Sequence, residues 1–147
     1  MFLKKTITFL IFLVIFLSSI AKVYSIEPDI FVQSTVNRAS EALNSKISKE
    51  EKITKLKTIA KETVDITGIG FYTLGSYRKK INDEQKKEYS NLFEQYFLKS
   101  FASRLAEYSN PEIEVFSKKK LNENYTMVNS ILVETEQRPK VKIDWRI

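Results

Sequence analysis

The hydrophobic positions of this chain follow two periods in turn: helical spacing as far as about Tyr108, and alternation after Pro111. After a break at Pro28, apolar residues recur at Phe31, Val32, Val36, Ala39 and Leu43, the spacing of one helical face. Ser48, with Glu51 three residues on, forms a capping box that opens a second helix. Its apolar set is Ile53, Leu56, Ile59, Ala60 and Val64, and lysines fill the opposite, solvated face. Asn82, with Gln85 three residues on, caps the longest helix. That helix is expected to run to about Tyr108, where Ser109-Asn110-Pro111 stops it. One stripe of it reads Tyr89, Phe93, Tyr96, Phe97, Phe101, Leu105 and Tyr108, widened by Leu92, Leu98 and Ala102. Such a stripe is by default core that packs against a sheet. Between the second and longest helices, residues 65–75 hold all 3 glycines, Gly68, Gly70 and Gly75. Glycines in that setting mark turns or close backbone approach.

Past Pro111 the pattern predicts strands. Ile113, Val115 and Phe116 suggest a short one, and Lys118-Lys119-Lys120 with Asn122-Glu123-Asn124 reads as a turn. Tyr125 to Glu134 is a longer strand with apolar residues on both faces: Tyr125, Met127, Ile131 and Val133 on one, Val128 and Leu132 on the other. Arg138-Pro139 is a further break. From Lys140 to Ile147 the alternation is clean, with Val141, Ile143, Trp145 and Ile147 on one face and Lys140, Lys142, Asp144 and Arg146 on the other. Helices followed by a run of strands predict an α+β fold, with N-terminal helices packed on a curled antiparallel sheet formed by the C-terminal strands.

The first residues change this picture by removing themselves from it. Lys4 and Lys5, then a nearly unbroken apolar run from Ile7 to Leu17, then the small Val23 and Ser25, follow the pattern of a secretory signal peptide cleaved near Ser25. A spanning helix needs about 20 apolar residues, and this run is much shorter. The expected organisation is therefore a leader, 1–25, and one domain, 26–147. The full chain carries 24 basic and 18 acidic residues, a net +6, of which the leader's three lysines account for half. The remaining charge is weak support for a nucleic-acid partner, and export argues against one. The chain has 0 Cys and 0 His. That leaves no disulfide framework and removes the commonest metal ligands and nucleophile–base pairs. No phosphate-cradling glycine loop or nucleophile elbow occurs either. We expect no catalytic residue, metal or cofactor.

Four segments in order resemble one family. They are Ile69 to Lys79, with its aromatic-x-x-x-Gly-x-Tyr-Arg-Lys arrangement; Glu84-Gln85 with Glu88-Tyr89; Phe101 to Leu105 with Tyr108-Ser109; and Val141-Lys142-Ile143-Asp144-Trp145-Arg146. The chain over 26–147 thereby resembles the MlaC, or toluene-tolerance, family of periplasmic phospholipid-binding proteins. The resemblance implies a carrier that shuttles phospholipid between inner and outer membranes, with an inner-membrane ABC transporter complex and an outer-membrane lipoprotein complex as partners. It also implies a further strand and helix after Ile147, so a shortened family member is expected.

The resemblance places acyl chains between sheet and helices, with the head group near the surface. The walls that it implies here are Leu74, Tyr77, Tyr96, Phe97, Phe101, Leu105, Val128, Leu132, Ile143 and Trp145. Arg78 and Lys79, followed by Lys80, are the candidates for contact with a lipid phosphate, since Arg suits bidentate phosphate contact. Lys118-Lys119-Lys120 reads first as a solubilising run, with anionic head groups as a second role. Two other readings fit parts of the chain. A small enzyme of cone-shaped fold would draw on Asp144 and Glu134, but alternation puts Asp144 opposite the apolar face. A nonfunctional or split-gene fragment, or an interaction module, would suit a shortened chain.

Overall fold

The computed structural model describes residues 25–108, 111–134 and 139–147. The expected leader up to residue 24, the Ser109-Asn110 part of the helix stop, and Arg138 of the second break lie outside the described residues. The fold is α+β: among the described residues, four helices and a short 3₁₀ segment precede an open, three-stranded antiparallel sheet.

Helix α1, Pro28–Asn44, starts on its proline, where the missing N–H leaves no bond unmade. Its C-terminal end is tied to the next helix, because Lys52 Nζ donates to the Leu43 carbonyl at 2.6 Å. Helix α2, Lys49–Thr63, opens on the expected capping box. Ser48 Oγ accepts from the Glu51 backbone N–H at 3.2 Å, and Glu51 accepts from the Ser48 N–H at 2.9 Å. Those bonds from Ser48 hold the Glu51 carboxyl below its ordinary pKa. Helix α3, Ile66–Thr73, is capped by Asp65, and the 3₁₀ segment Gly75–Lys79 follows. Helix α4, Asp83–Leu105, carries the second capping box, between Asn82 and Gln85.

The glycines divide between turn and close approach, the two roles expected of them, with Gly70 taking the second. Gly68 and Gly70 lie inside α3 rather than in turns. The reason for Gly70 is tertiary: a Cβ there would sit 2.9 Å from Phe93 Cδ1, so the glycine lets α3 and α4 approach. Gly75, at φ +54°, does make a turn, from α3 into the 3₁₀ segment.

The strands are β1, Ile113–Lys120; β2, Thr126–Leu132; and β3, Val141–Arg146, in the order β1-β2-β3. The three lysines 118–120 are not in a turn; they end β1 and pair with Val128, Met127 and Thr126. Lysines are well suited to an edge strand, where they discourage pairing with other chains. A register shift between Val115 and Ser117 leaves Phe116 as a bulge, exposed to solvent. The turn itself is Asn122-centred: its side chain accepts from the backbone N–H groups of Asn124 and Tyr125.

The core is a chain of three clusters. Val32, Val36 and Val128 join α1 to the sheet. Leu43, Leu56 and Ala102 join α1, α2 and α4. Ala60, Ile66 and Leu98 join α2, α3 and α4. Helix α1 supplies the main helix–sheet packing, and α4 packs on α2 and α3. The aromatic stripe of α4 therefore does not rest on the sheet as its default reading expected. Phe93, Phe97 and Phe101 pack beside the Ala60–Ile66–Leu98 cluster instead.

Candidate functional site: the apolar faces of sheet and long helix

The sheet's helix-facing side is set by register. Val128 pairs with Trp145, Ser130 with Ile143 and Leu132 with Val141 on one flank; Ile113 and Val115 pair with Leu132 and Ser130 on the other. Directly paired residues share a face, so these side chains form one continuous surface. On β2 the row is sealed, with Val128, Ser130 and Leu132 at 0, 1 and 2 % exposure. On β3 it is open. Val141 is 40 % exposed and Ile147, just past the strand, 37 %, while Ile143 and Trp145 are half-buried.

One polar feature crosses this surface. Trp145 Nε1 donates to Ser130 Oγ at 2.8 Å. A tryptophan N–H taken out of water needs such a partner, and a serine hydroxyl on a buried strand supplies it. No buried side-chain N or O among the described residues lacks a partner.

The long helix presents a ladder of rings four residues apart. Tyr89–Phe93, Phe93–Phe97 and Phe97–Phe101 stack with centroids 5.8, 6.2 and 5.4 Å apart, within the favourable range for ring pairs. Tyr89 OH lies 2.9 Å from Thr73 Oγ1, which ties the ladder to the end of α3. All four rings are half-buried, so each keeps an accessible edge.

The expected wall residues separate into three groups. Val128, Leu132, Ile143 and Trp145 are together on the sheet face. Phe97 and Phe101 belong to the ring ladder, and Leu105 packs at the Leu43–Leu56–Ala102 cluster. Leu74 is half-buried at the end of α3. Tyr77 and Tyr96, at 65 and 70 % exposure, belong to none of the core clusters. Arg78 and Lys79 are exposed on the 3₁₀ segment. Sequence reasoning missed Ser130, whose polarity hid it on the apolar face. It also left Val32 and Val36 out of the site, although their helical spacing was visible.

The residues of the enzyme alternative lie apart from this face. Asp144 is exposed on the opposite side of the sheet, where Asn129 Nδ2 donates to it at 2.7 Å, and Glu134 is exposed beyond β2. Among the described residues no group of three His, Cys, Asp or Glu side chains could hold a metal. Two open grooves, of about 290 and 370 Å³, lie elsewhere. The first runs between Lys61, Asp65 and Glu94, the second along Ile30, Asn37 and Arg38; none of the expected site residues lines either.

Comparison with known proteins agrees with the fold. The family model described as MlaC protein matches residues 33–147. The chain is 28 % identical over 128 residues to the intermembrane phospholipid transport system binding protein MlaC of Haemophilus influenzae. That match takes in 83 % of this chain and 60 % of the relative's length. A solved phospholipid-binding protein from Ralstonia solanacearum, in complex with a phospholipid, superposes with a TM-score of 0.66 at 13 % identity. It covers 82 % of this chain and 70 % of that one, a likeness of fold.

Proposed function

The chain belongs to the MlaC family, and from that premise we propose that it is a phospholipid carrier of the periplasm, working in intermembrane lipid transport. The observation that carries the proposal is the difference along one sheet face: its β2 row is sealed while its β3 row, continuous with it by register, is open. The open apolar row of β3 and the half-buried ring ladder of α4 are each surfaces that gain by being covered. Acyl chains supply that cover, each buried CH₂ stabilising by ~0.8 kcal/mol. In this reading Ile143 and Trp145 line one wall, backed by the sealed Leu132 and Val128, and Phe97, Phe101, Leu105 and Leu74 form the other. Tyr77 and Tyr96 stand at the rim. Arg78 and Lys79 contact the phosphate.

Residues 26–147 are the lipid-binding domain, and 1–25 a leader cleaved near Ser25. The partners are an inner-membrane ABC transporter complex, which spends the energy, and an outer-membrane lipoprotein complex. Movement down a series of increasing affinities requires no catalysis by this chain.

The test is recovery of the protein from the periplasm of a bacterial host, followed by native mass spectrometry and lipid extraction. Stoichiometric phospholipid is expected, and Ile143→Asp should abolish it by placing a carboxylate against the acyl chains. A well-folded, lipid-free native protein would overturn the proposal.

A further inference from the structure

The segment from Ile69 to Lys80 shows water more apolar and aromatic surface than its packing requires. Ile69 and Tyr72 lie three residues apart, on one face of α3, at 39 and 77 % exposure. After the turn at Gly75, every residue to Lys80 is exposed, Tyr77 among them. Three consecutive cations, Arg78, Lys79 and Lys80, follow. Arg78 and Lys79 have no ion-pair partner among the described residues. Lys80 holds its ammonium over the Tyr77 ring, 5.2 Å from the centroid. The nearest acids in sequence are Asp83 and Glu84 on the first turn of α4. Asp83 is already occupied by Lys86 at 2.8 Å, which holds its carboxyl below the ordinary range.

We propose that this knuckle is a docking surface for an anionic phospholipid bilayer. Tyrosine suits the boundary between head groups and acyl chains, since its ring is apolar and its hydroxyl is not. Cations just outside that boundary are attracted to anionic head groups by about 1 kcal/mol each. The composition favours a bilayer over a protein partner, because two of the three cations are lysines. Lysine is depleted at protein–protein interfaces, while a head-group layer accepts it readily. The surface needs no cleft, so docking stands independently of lipid carriage, although Arg78 and Lys79 serve both.

The test is flotation of the full chain with vesicles of phosphatidylcholine alone or with phosphatidylglycerol added. Because residues 1–25 contain an apolar run that can itself enter a bilayer, the quantity read is the difference between native and variant chains. The pair Arg78→Gln, Lys79→Gln should weaken binding to anionic vesicles roughly 30-fold at low salt, as loss of two such attractions implies. Its deficit should shrink at high salt, where screening removes the same term from the native chain. The pair Tyr72→Ser, Tyr77→Ser should weaken binding at both salt levels. These side chains are exposed, so circular dichroism should show an unchanged fold. Equal flotation of native and both variants would overturn docking and leave the patch to a protein partner. Brominated phosphatidylglycerol should also quench the emission of a Tyr77→Trp, Trp145→Phe chain; unquenched emission with bound vesicles counts against docking. Lipid co-purification of a Tyr72→Ser chain separates the two proposals, because Tyr72 takes no part in the proposed carriage site: loss of docking leaves lipid in that periplasmic protein, whereas failure of carriage in Ile143→Asp leaves flotation intact.

Discussion

Strands β2 and β3 are neighbours, share one helix-facing surface, and differ in what covers them. The β2 row of Val128, Ser130 and Leu132 lies against α1, with Val128 in the Val32–Val36 cluster. The β3 row of Val141, Ile143 and Trp145 reaches that cluster only through Trp145, and Val141 faces water. Alternation is clean in β3 and blurred in β2, yet β2 is the sealed strand, so periodicity alone does not distinguish a sealed strand from an open one. The difference comes from where the helix lands: α1 packs on β1 and β2. Burial, and with it most of the stability of this face, thereby falls on β2, and the proposed carrier reading draws on the surface that β3 leaves open.

The largest test of that division is a pair of truncations opposite one another in register. Leu132→Ala should destabilise by about 2–5 kcal/mol, because a buried leucine leaves both lost transfer energy and a cavity. Val141→Ala, at its cross-strand partner, should change stability within about 0.5 kcal/mol, as for an ordinary surface site. Urea titration of both variants measures the gap. Equal losses would mean that β3 is as sealed as β2, and the binding face would have to be sought elsewhere.

A smaller effect tests the link between the two strands. Ser130→Ala removes the acceptor of the Trp145 Nε1–H, leaving a half-buried donor without its bond, at a cost of about 1–3 kcal/mol. Trp145 is the chain's 1 tryptophan, so its fluorescence reports the change directly. Emission should shift as the ring leaves its fixed position toward the open half of the face. An unchanged spectrum would show that packing against the valine cluster, rather than the hydrogen bond, sets the ring.

Local features of the fold were legible and tertiary ones were not. Both capping boxes were readable because three residues contain all their chemistry: Ser48 with Glu51, and Asn82 with Gln85. The strand in Lys140–Ile147 was readable because a period of two needs no partner to be seen. The burial of β2 was not, since Tyr125 to Glu134 is apolar on both faces and only α1 decides between them. Lysines 118–120 looked like a turn because their charge dominates their short-range pattern, yet β2 extends β1 through them. The aromatic stripe was visible as a stripe, but its neighbours α2 and α3 were not. For the candidate site, the sequence named apolar residues that the fold gathers on the sheet face of β2 and β3 and on the ring ladder. Ser130 could not be named, because its role depends on a tryptophan 15 residues away.

The smallest expected effect concerns why α1 lies over β1 and β2. Lys118 shares Val128's register position, and its ammonium reaches two carboxylates at the start of α1: Asp29 at 2.8 Å and Glu27 at 3.0 Å. All three side chains are well exposed, so their contribution to stability is slight and salt-sensitive. Its pH dependence has two edges. The hydrogen bond from Lys118 holds the Asp29 carboxyl below its ordinary pKa. That contribution is present above the carboxyl's unfolded pKa and is lost as pH falls through the lowered folded value. Bonds to Asp29, then Glu27, hold the Lys118 ammonium above its ordinary value. Its contribution is complete below the unfolded lysine pKa and is lost as pH rises through the raised one. Lys118→Met should therefore lower the thermal midpoint by a small, constant amount across neutral pH, and the gap from native should close at both extremes and in high salt. A gap that persists in strong acid or at high ionic strength would mean that the lysine holds α1 by packing of its aliphatic stem, and that charge does not register the helix on the sealed half of the sheet.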